Sequence, residues 1–191
     1  MQSNILIIDN NDSFTWNLVQ IIEEHGGYRI SVENNPTLST NSHCKYHKIL
    51  FSPGPGLPSD FPIMEKFIRN LTGKVPILGI CLGHQSIACT FGSTLINLPQ
   101  ISHGLKKKIT IIDKSDYLFQ NIPTSTEVGL YHSWAVSRNN FPDCLKITAL
   151  TDDGIIMGIA HKKFDIKGIQ FHPESIMTDY GRLILNNWLN H

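Results

Sequence analysis

The strongest constraint in this chain is a recurring unit. A short, unbroken apolar run stops at a polar or glycine-rich turn and leads into a segment with helical spacing. Ile5-Leu6-Ile7-Ile8 is the first run, and it ends at Asp9-Asn10-Asn11-Asp12. A strand wetted on one side alternates apolar and polar residues, so a continuous run predicts a strand covered on both faces. Ser13 is placed to cap a helix whose Phe14, Leu18, Ile21 and Ile22 share one side, and Gly26-Gly27 ends it. The unit returns with Tyr28 to Val32, a polar loop, and His47 to Phe51. Next comes Ser52-Pro53-Gly54-Pro55-Gly56-Leu57-Pro58, which excludes regular helix and central strand. A helix from Asp60 to Asn70, a strand from Pro76 to Ile80 and a helix from Leu82 to Phe91 complete an alternation that predicts a mostly parallel sheet flanked by helices.

Beyond Gly92 the pattern is mainly strands: Thr94 to Asn97, Lys108 to Ile112, Val128 to Tyr131, Lys146 to Leu150, Ile155 to Ala160 and Gly168 to Phe171. Asp152-Asp153-Gly154 reads as a hairpin turn between two of them. Tyr180 to Leu189 predicts a terminal helix with Tyr180, Leu183, Ile184 and Trp188 in its buried stripe. No repeat or low-complexity linker divides the 191 residues, so residues 1–191 are expected to form one α/β domain whose mixed sheet carries an antiparallel excursion.

Charge then narrows the function classes. Sixteen basic and sixteen acidic side chains cancel, which argues against nucleic-acid or anionic-membrane partners. Lys106-Lys107-Lys108 is expected to be a solvated turn before Ile109, without the aromatic residues that single-strand binding uses. No apolar stretch has membrane-spanning length. The chain opens on a strand-like segment instead of a secretory signal, and Cys44, Cys81, Cys89 and Cys144 lack zinc-type spacing, so a cytoplasmic setting is expected. His84 and His132 belong to no metal-binding pattern, and His25 and His103 are expected in solvated turns. Neither a G-x-G-x-x-G turn after the first strand nor a Walker A sequence is present, and no cofactor is expected.

The chemistry concentrates at Gly79-Ile80-Cys81-Leu82-Gly83, a cysteine between glycines where a buried strand turns into a helix. Small flanking residues permit the sharp turn of a nucleophile elbow, and a helix amino terminus favours thiolate over thiol. Read alone, Cys81 fits a small buried hydrophobe equally well; Cys89, inside an apolar helix face, fits only that. His172 follows a strand directly, Pro173 fixes the backbone, and Glu174 is placed to orient the imidazole. The N–H groups of Gly54 and Leu82 are candidates for an oxyanion hole. A cysteine peptidase or esterase would use the same acyl-transfer chemistry but needs a substrate groove. A noncatalytic interaction module would leave both strand-end segments without a use.

Gly79-Ile80-Cys81-Leu82-Gly83-His84-Gln85 together with Phe171-His172-Pro173-Glu174-Ser175 resembles the paired signatures of class I, or triad-type, glutamine amidotransferases, in the same order. Asp9 to Thr15, Ser52 to Gly56 and Tyr131-His132-Ser133 further resemble the small glutaminase subunits of anthranilate synthase and aminodeoxychorismate synthase. The likeness runs from Ile5 to the carboxyl terminus. It implies a flavodoxin-like amidotransferase domain, a Cys81–His172–Glu174 triad, an oxyanion hole at Gly54 and Leu82, and L-glutamine held by Gly56, Gln85 and the backbone around Ser133 and Trp134. It also implies a large chorismate-using synthase subunit as partner, with Asn10 to Phe14, Cys81 to Gln85 and a Tyr131 to Trp134 loop as interface candidates. Related sequences often carry an aliphatic residue at Trp134. The departure is harmless if only the backbone is used there, and alters glutamine fit or coupling if the indole enters the pocket or the partner surface.

Overall fold

The computed structural model describes residues 3–34 and 45–191; part of the expected polar loop before His47, with Cys44, lies outside the described residues. Strands β1 (Ser3–Asp9), β2 (Tyr28–Asn34), β3 (Lys48–Phe51) and β4 (Ile77–Ile80) alternate with helices α1 (Thr15–His25), α2 (Pro62–Leu71) and α3 (Leu82–Thr90). Strands β5 (Leu95–Ile111), β6 (Ser125–Val136), β7 (Leu145–Thr151), β8 (Ile156–His161) and β9 (Ile166–Ile169) follow, and helix α4 (Gly181–Asn190) closes the chain. All these strands join one nine-stranded sheet in the order β2-β1-β3-β4-β9-β8-β7-β5-β6. From β2 to β9 neighbours run parallel, and from β9 to β6 antiparallel. The mixed sheet flanked by helices is the expected fold class.

The unbroken apolar runs now have their reason. Ile5 and Ile7 pack on one face of the sheet with Leu18 and Ile22 of α1 and Ile184, Leu185 and Trp188 of α4. Leu6 and Ile8 pack on the other with Met64 and Phe67 of α2 and Ile87 and Ala88 of α3. Each such side chain contributes about 1.5–3 kcal/mol when fully buried, so both sides of β1 must be apolar.

Several local expectations are corrected. Ser13 does not cap α1; Asp12 Oδ1 instead accepts from the Phe14 N–H at 2.8 Å, and Asp9 Oδ1 from Thr15 Oγ1 at 2.8 Å. Asn11, at φ +61°, bends the turn so that these aspartates reach the helix start. The segments expected as separate strands at Thr94 to Asn97 and Lys108 to Ile112 fuse into β5, whose register against β6 shifts between Asn97 and Ser102 and again between His103 and Leu105. Gly104, at φ +67°, supplies the left-handed residue that such a bulge takes up. Lys106, Lys107 and Lys108 therefore lie within a strand, not a turn, opposite Gly129, Val128 and Glu127. Lys106 is held there by Glu127 (2.9 Å) and Asp179 (2.8 Å), and Lys107 by Asp153 (2.7 Å). The last strand ends at Ile169, short of Phe171. Tyr180 precedes α4 and is exposed; Leu185 and Leu189 join Ile184 and Trp188 in the stripe. His25 is half-buried instead of solvated, its Nε2 3.1 Å from Asn190 Oδ1 on α4. His103 is exposed.

Candidate active site

The carboxyl ends of β1, β3, β4 and β9 open on the same side of the sheet, where doubly wound folds bind ligands. Cys81 sits at the end of β4 with φ +50° and ψ −101°, a conformation rare for a side chain with a Cβ. Its neighbours explain how the turn closes. A Cβ on Gly79 would stand 2.4 Å from the Gly83 carbonyl carbon, and one on Gly83 would stand 2.5 Å from the Phe51 carbonyl oxygen. The Cys81 N–H donates to Ile169 O of β9 (2.8 Å), and the Cys81 carbonyl accepts from the Gln85 N–H of α3 (3.0 Å). The thiol is thus delivered to the amino end of α3, beside the chain that leads to His172.

His172 is clamped through its backbone. Its N–H donates to Gly129 O (3.1 Å), and its carbonyl accepts from Thr178 Oγ1 (2.6 Å). Gly181 leaves room for the bend at Pro173, because a Cβ there would stand 1.8 Å from the Pro173 oxygen. Glu174 Oε1 lies 2.6 Å from His172 Nδ1. A carboxylate accepts and the imidazole donates, so the proton sits on Nδ1 and leaves Nε2 as the basic nitrogen. Nε2 is buried and has no hydrogen-bond partner among the described residues. Phe14 and Tyr131 wall the ring, at 5.5 and 4.8 Å between centroids. Cys81 and His172 line one cavity of about 460 Å³ with Phe14 and Tyr131. Burial opposes a charged His172, but the Cys81 and Glu174 side chains beside it outweigh burial and raise its pKa.

An adjoining cavity of about 210 Å³ is lined by Cys81, Gly54, Gly56, Leu82, Gln85, Ser133 and Trp134, among others. The sequence-predicted oxyanion and glutamine residues therefore converge on the predicted nucleophile. Gly54 tolerates no side chain, since a Cβ would stand 2.6 Å from Asn10 Cβ and 2.7 Å from Leu82 Cδ2. Gly56, at φ +77°, turns the loop against Asp60. Glu174 stays behind His172, in a separate groove with Asn17 and Tyr180. The segment from Tyr131 to Trp134 is no loop but part of β6. Residues Cys81 to Gln85 are buried, so that stretch presents no surface to a partner.

Sequence reasoning missed Gln170, fully buried with its Nε2 3.5 Å from Cys81 Sγ. Its one signal was an amide between Ile169 and Phe171, in a run otherwise apolar. Two further imidazoles are buried nearby. Burial lowers the pKa of His84 to about 3 and that of His132 to about 4, so both are neutral at physiological pH. Among the described residues no cluster of His, Cys, Asp and Glu is arranged to hold a metal ion, and no helix is long and apolar enough to cross a membrane.

Known proteins resemble this chain along nearly its whole length. Over 189 residues the chain is 43% identical to "Anthranilate synthase component 2" of Cyanophora paradoxa, covering 97% of this chain and 98% of that protein. It is 41% identical over 187 residues to "Aminodeoxychorismate synthase component 2" of Klebsiella aerogenes, covering 97% and 99%. The crystal structure of a glutamine amidotransferase from Thermotoga maritima superposes with a TM-score of 0.71 over 100% of this chain and 82% of that one; at 14% identity, that likeness speaks to the fold alone. Residues 6–191 match the family model "Glutamine amidotransferase class-I", and the chain belongs to that family.

Proposed function

We propose that the protein is the glutaminase subunit of anthranilate synthase, hydrolysing L-glutamine through a cysteinyl thioester and passing ammonia to a large, chorismate-using subunit. The observation that carries this reading is the union of Cys81 with His172 on one side and with Gly54, Leu82, Gln85 and Ser133 on the other. His172 Nε2 takes the Cys81 proton, and the sulfur attacks the side-chain amide carbon of glutamine. The N–H groups of Gly54 and Leu82 hold the oxyanion, a contribution on the order of 10²–10³ in rate for each donor. The C–N bond breaks as His172 gives its proton to the leaving nitrogen, which departs as ammonia. Water, deprotonated by His172, adds to the thioester, and the C–S bond breaks to give glutamate and the thiol. Glu174 keeps the imidazole in the required tautomer and offsets its positive charge. Nothing in the cycle calls for a cofactor.

Gln85 donates both amide hydrogens to protein groups, Trp134 O (2.8 Å) and Gln170 Oε1 (3.2 Å). Its own Oε1 is left to accept from the substrate. Beside the larger cavity Asn11 and Ser13 of the β1–α1 turn are exposed, as are Trp16 in the first turn of α1 and Ile176 beyond Glu174, the last 99% exposed. These residues supply the rim on which the large subunit seats. The setting we propose is cytoplasmic.

A second reading, service to aminodeoxychorismate synthase or to both enzymes, is favoured by the relative of that name at 41% identity. Reconstitution with each large subunit discriminates them. Glutamine-dependent anthranilate formation is expected; glutamine-dependent aminodeoxychorismate alone would assign the chain to the second enzyme.

A further inference from the structure

Behind the two cavities runs a short chain of buried amides. The Trp134 carbonyl accepts from Gln85 Nε2 at 2.8 Å; the same nitrogen donates to Gln170 Oε1 at 3.2 Å; and Gln170 Nε2 points at Cys81 Sγ from 3.5 Å. Gln85 and Gln170 are 3% and 0% exposed. The polarity of this chain is not free to reverse. A carbonyl only accepts, so Trp134 O demands the amide nitrogen of Gln85; that nitrogen demands the oxygen of Gln170; and the nitrogen of Gln170 is left for the sulfur. His132 Nδ1 also lies 2.9 Å from Trp134 O, which fixes its proton there and reinforces the carbonyl as an acceptor.

From this we infer that Gln170 is a positioning residue for glutamine hydrolysis: it holds Cys81 Sγ through an N–H donor and, through Gln85, ties the sulfur to the backbone of Trp134 in the smaller cavity. The inference rests on the reading of Cys81 as nucleophile. The amide reaches sulfur from a fully buried position just beyond the end of β9. A donor aimed at a sulfur that gains negative charge strengthens as the charge develops, while a buried donor left unpaired is costly. The link also couples the two ends of the site. Substrate pressing on the Trp134 strand shifts the acceptor of Gln85, and with it the amide that orients the nucleophile. Backbone contact at Trp134 is thereby given a task independent of the indole.

The test is steady-state glutamine hydrolysis by the chain reconstituted with its large subunit. Variants Gln170→Glu, Gln170→Met and Cys81→Ala are compared, each checked for thermal unfolding and for product formation from added ammonia. Gln170→Glu keeps the acceptor for Gln85 and loses the donor to sulfur. It is expected to lower kcat about tenfold or more while KM stays within about twofold. Gln170→Met loses both arms and is expected to lower kcat similarly and to raise KM as well. A merely structural role would lower thermal stability and glutamine-dependent activity together, without that split, and would overturn the inference. So would wild-type kcat in either folded variant. If Gln170→Glu fails to fold, Gln170→Met decides alone by its kcat. Glutamine turnover by folded Cys81→Ala would instead overturn the nucleophile reading beneath it. An inactive Cys81→Ala beside fully active Gln170 variants would overturn this inference only.

Discussion

Cys81 precedes and Cys89 nearly ends one short helix, and the two ends of α3 give a thiol opposite surroundings. Cys81 lies ahead of the first turn in a strained conformation, facing helix N–H groups, the Gln170 amide and His172. Cys89 lies in the last turn, in an apolar recess with Leu57, Pro58 and Leu95, where burial and then the Glu65 charge push its thiol up to about 11. Same residue, same helix: the difference is which partners the backbone brings to the sulfur. A buried cysteine without a base is held as a neutral hydrophobe, whereas one at a strand-to-helix corner becomes part of a relay.

The contrast breaks most sharply under substitution. Cys81→Ala is expected to lower glutamine-dependent synthesis by about 10⁴-fold or more while leaving ammonia-dependent synthesis by the reconstituted complex intact. Parallel assays with the two nitrogen sources check it. Gly54→Ala comes next. Its Cβ would stand 2.6 Å from Asn10 Cβ, so the loop must shift and its N–H must leave the oxyanion position, a loss of about 10²–10³ in kcat measurable by glutamate release.

A smaller effect is on stability. The folded pKa values of His84 and His132 are depressed from 6.5 to about 3 and about 4 by burial. Between these values and 6.5 the unfolded chain binds protons that the folded chain refuses. Their contribution is therefore complete above pH 6.5 and is lost as pH falls through that window, on the order of 2 kcal/mol for each imidazole at pH 5. Urea unfolding at pH 7 and pH 5 should show the loss, and His84→Gln should flatten it. The smallest effect is expected of Cys89→Ala, with glutaminase kcat within about twofold of the parent, because a substitution outside the relay removes no transition-state contact.

The two halves of the sheet differed in how plainly the sequence announced them. In the parallel half Ile5 to Ile8 must be apolar on both faces, and Gly26-Gly27 and Pro53 to Gly56 mark where the chain turns, so local chemistry and tertiary burial agree. In the antiparallel half, β5 runs on through Pro99 and Gly104, past Asn97 where the expected strand stopped, although a proline and a glycine weaken a strand interior. Cross-strand pairing with β6 along its length and with β7 at its end, together with the ion pairs of Lys106 and Lys107, keeps it one strand. The site divides in the same way. Cys81 and His172 were legible because glycines and a proline advertise their backbone geometry. Gln170 was not, nor was the place of Tyr131 against the relay, since both depend on what the side chains meet across the fold: Cys81 Sγ in one case, the His172 ring and Ser175 Oγ in the other.

The most direct measurement is covalent labelling of the folded protein with a glutamine-mimicking electrophile, followed by peptide mapping, with and without excess L-glutamine. The expected result is one label per chain, on Cys81, slowed by glutamine and absent from Cys89. A label on Cys89 or Cys144 that glutamine does not slow, with Cys81 unmodified, would contradict it.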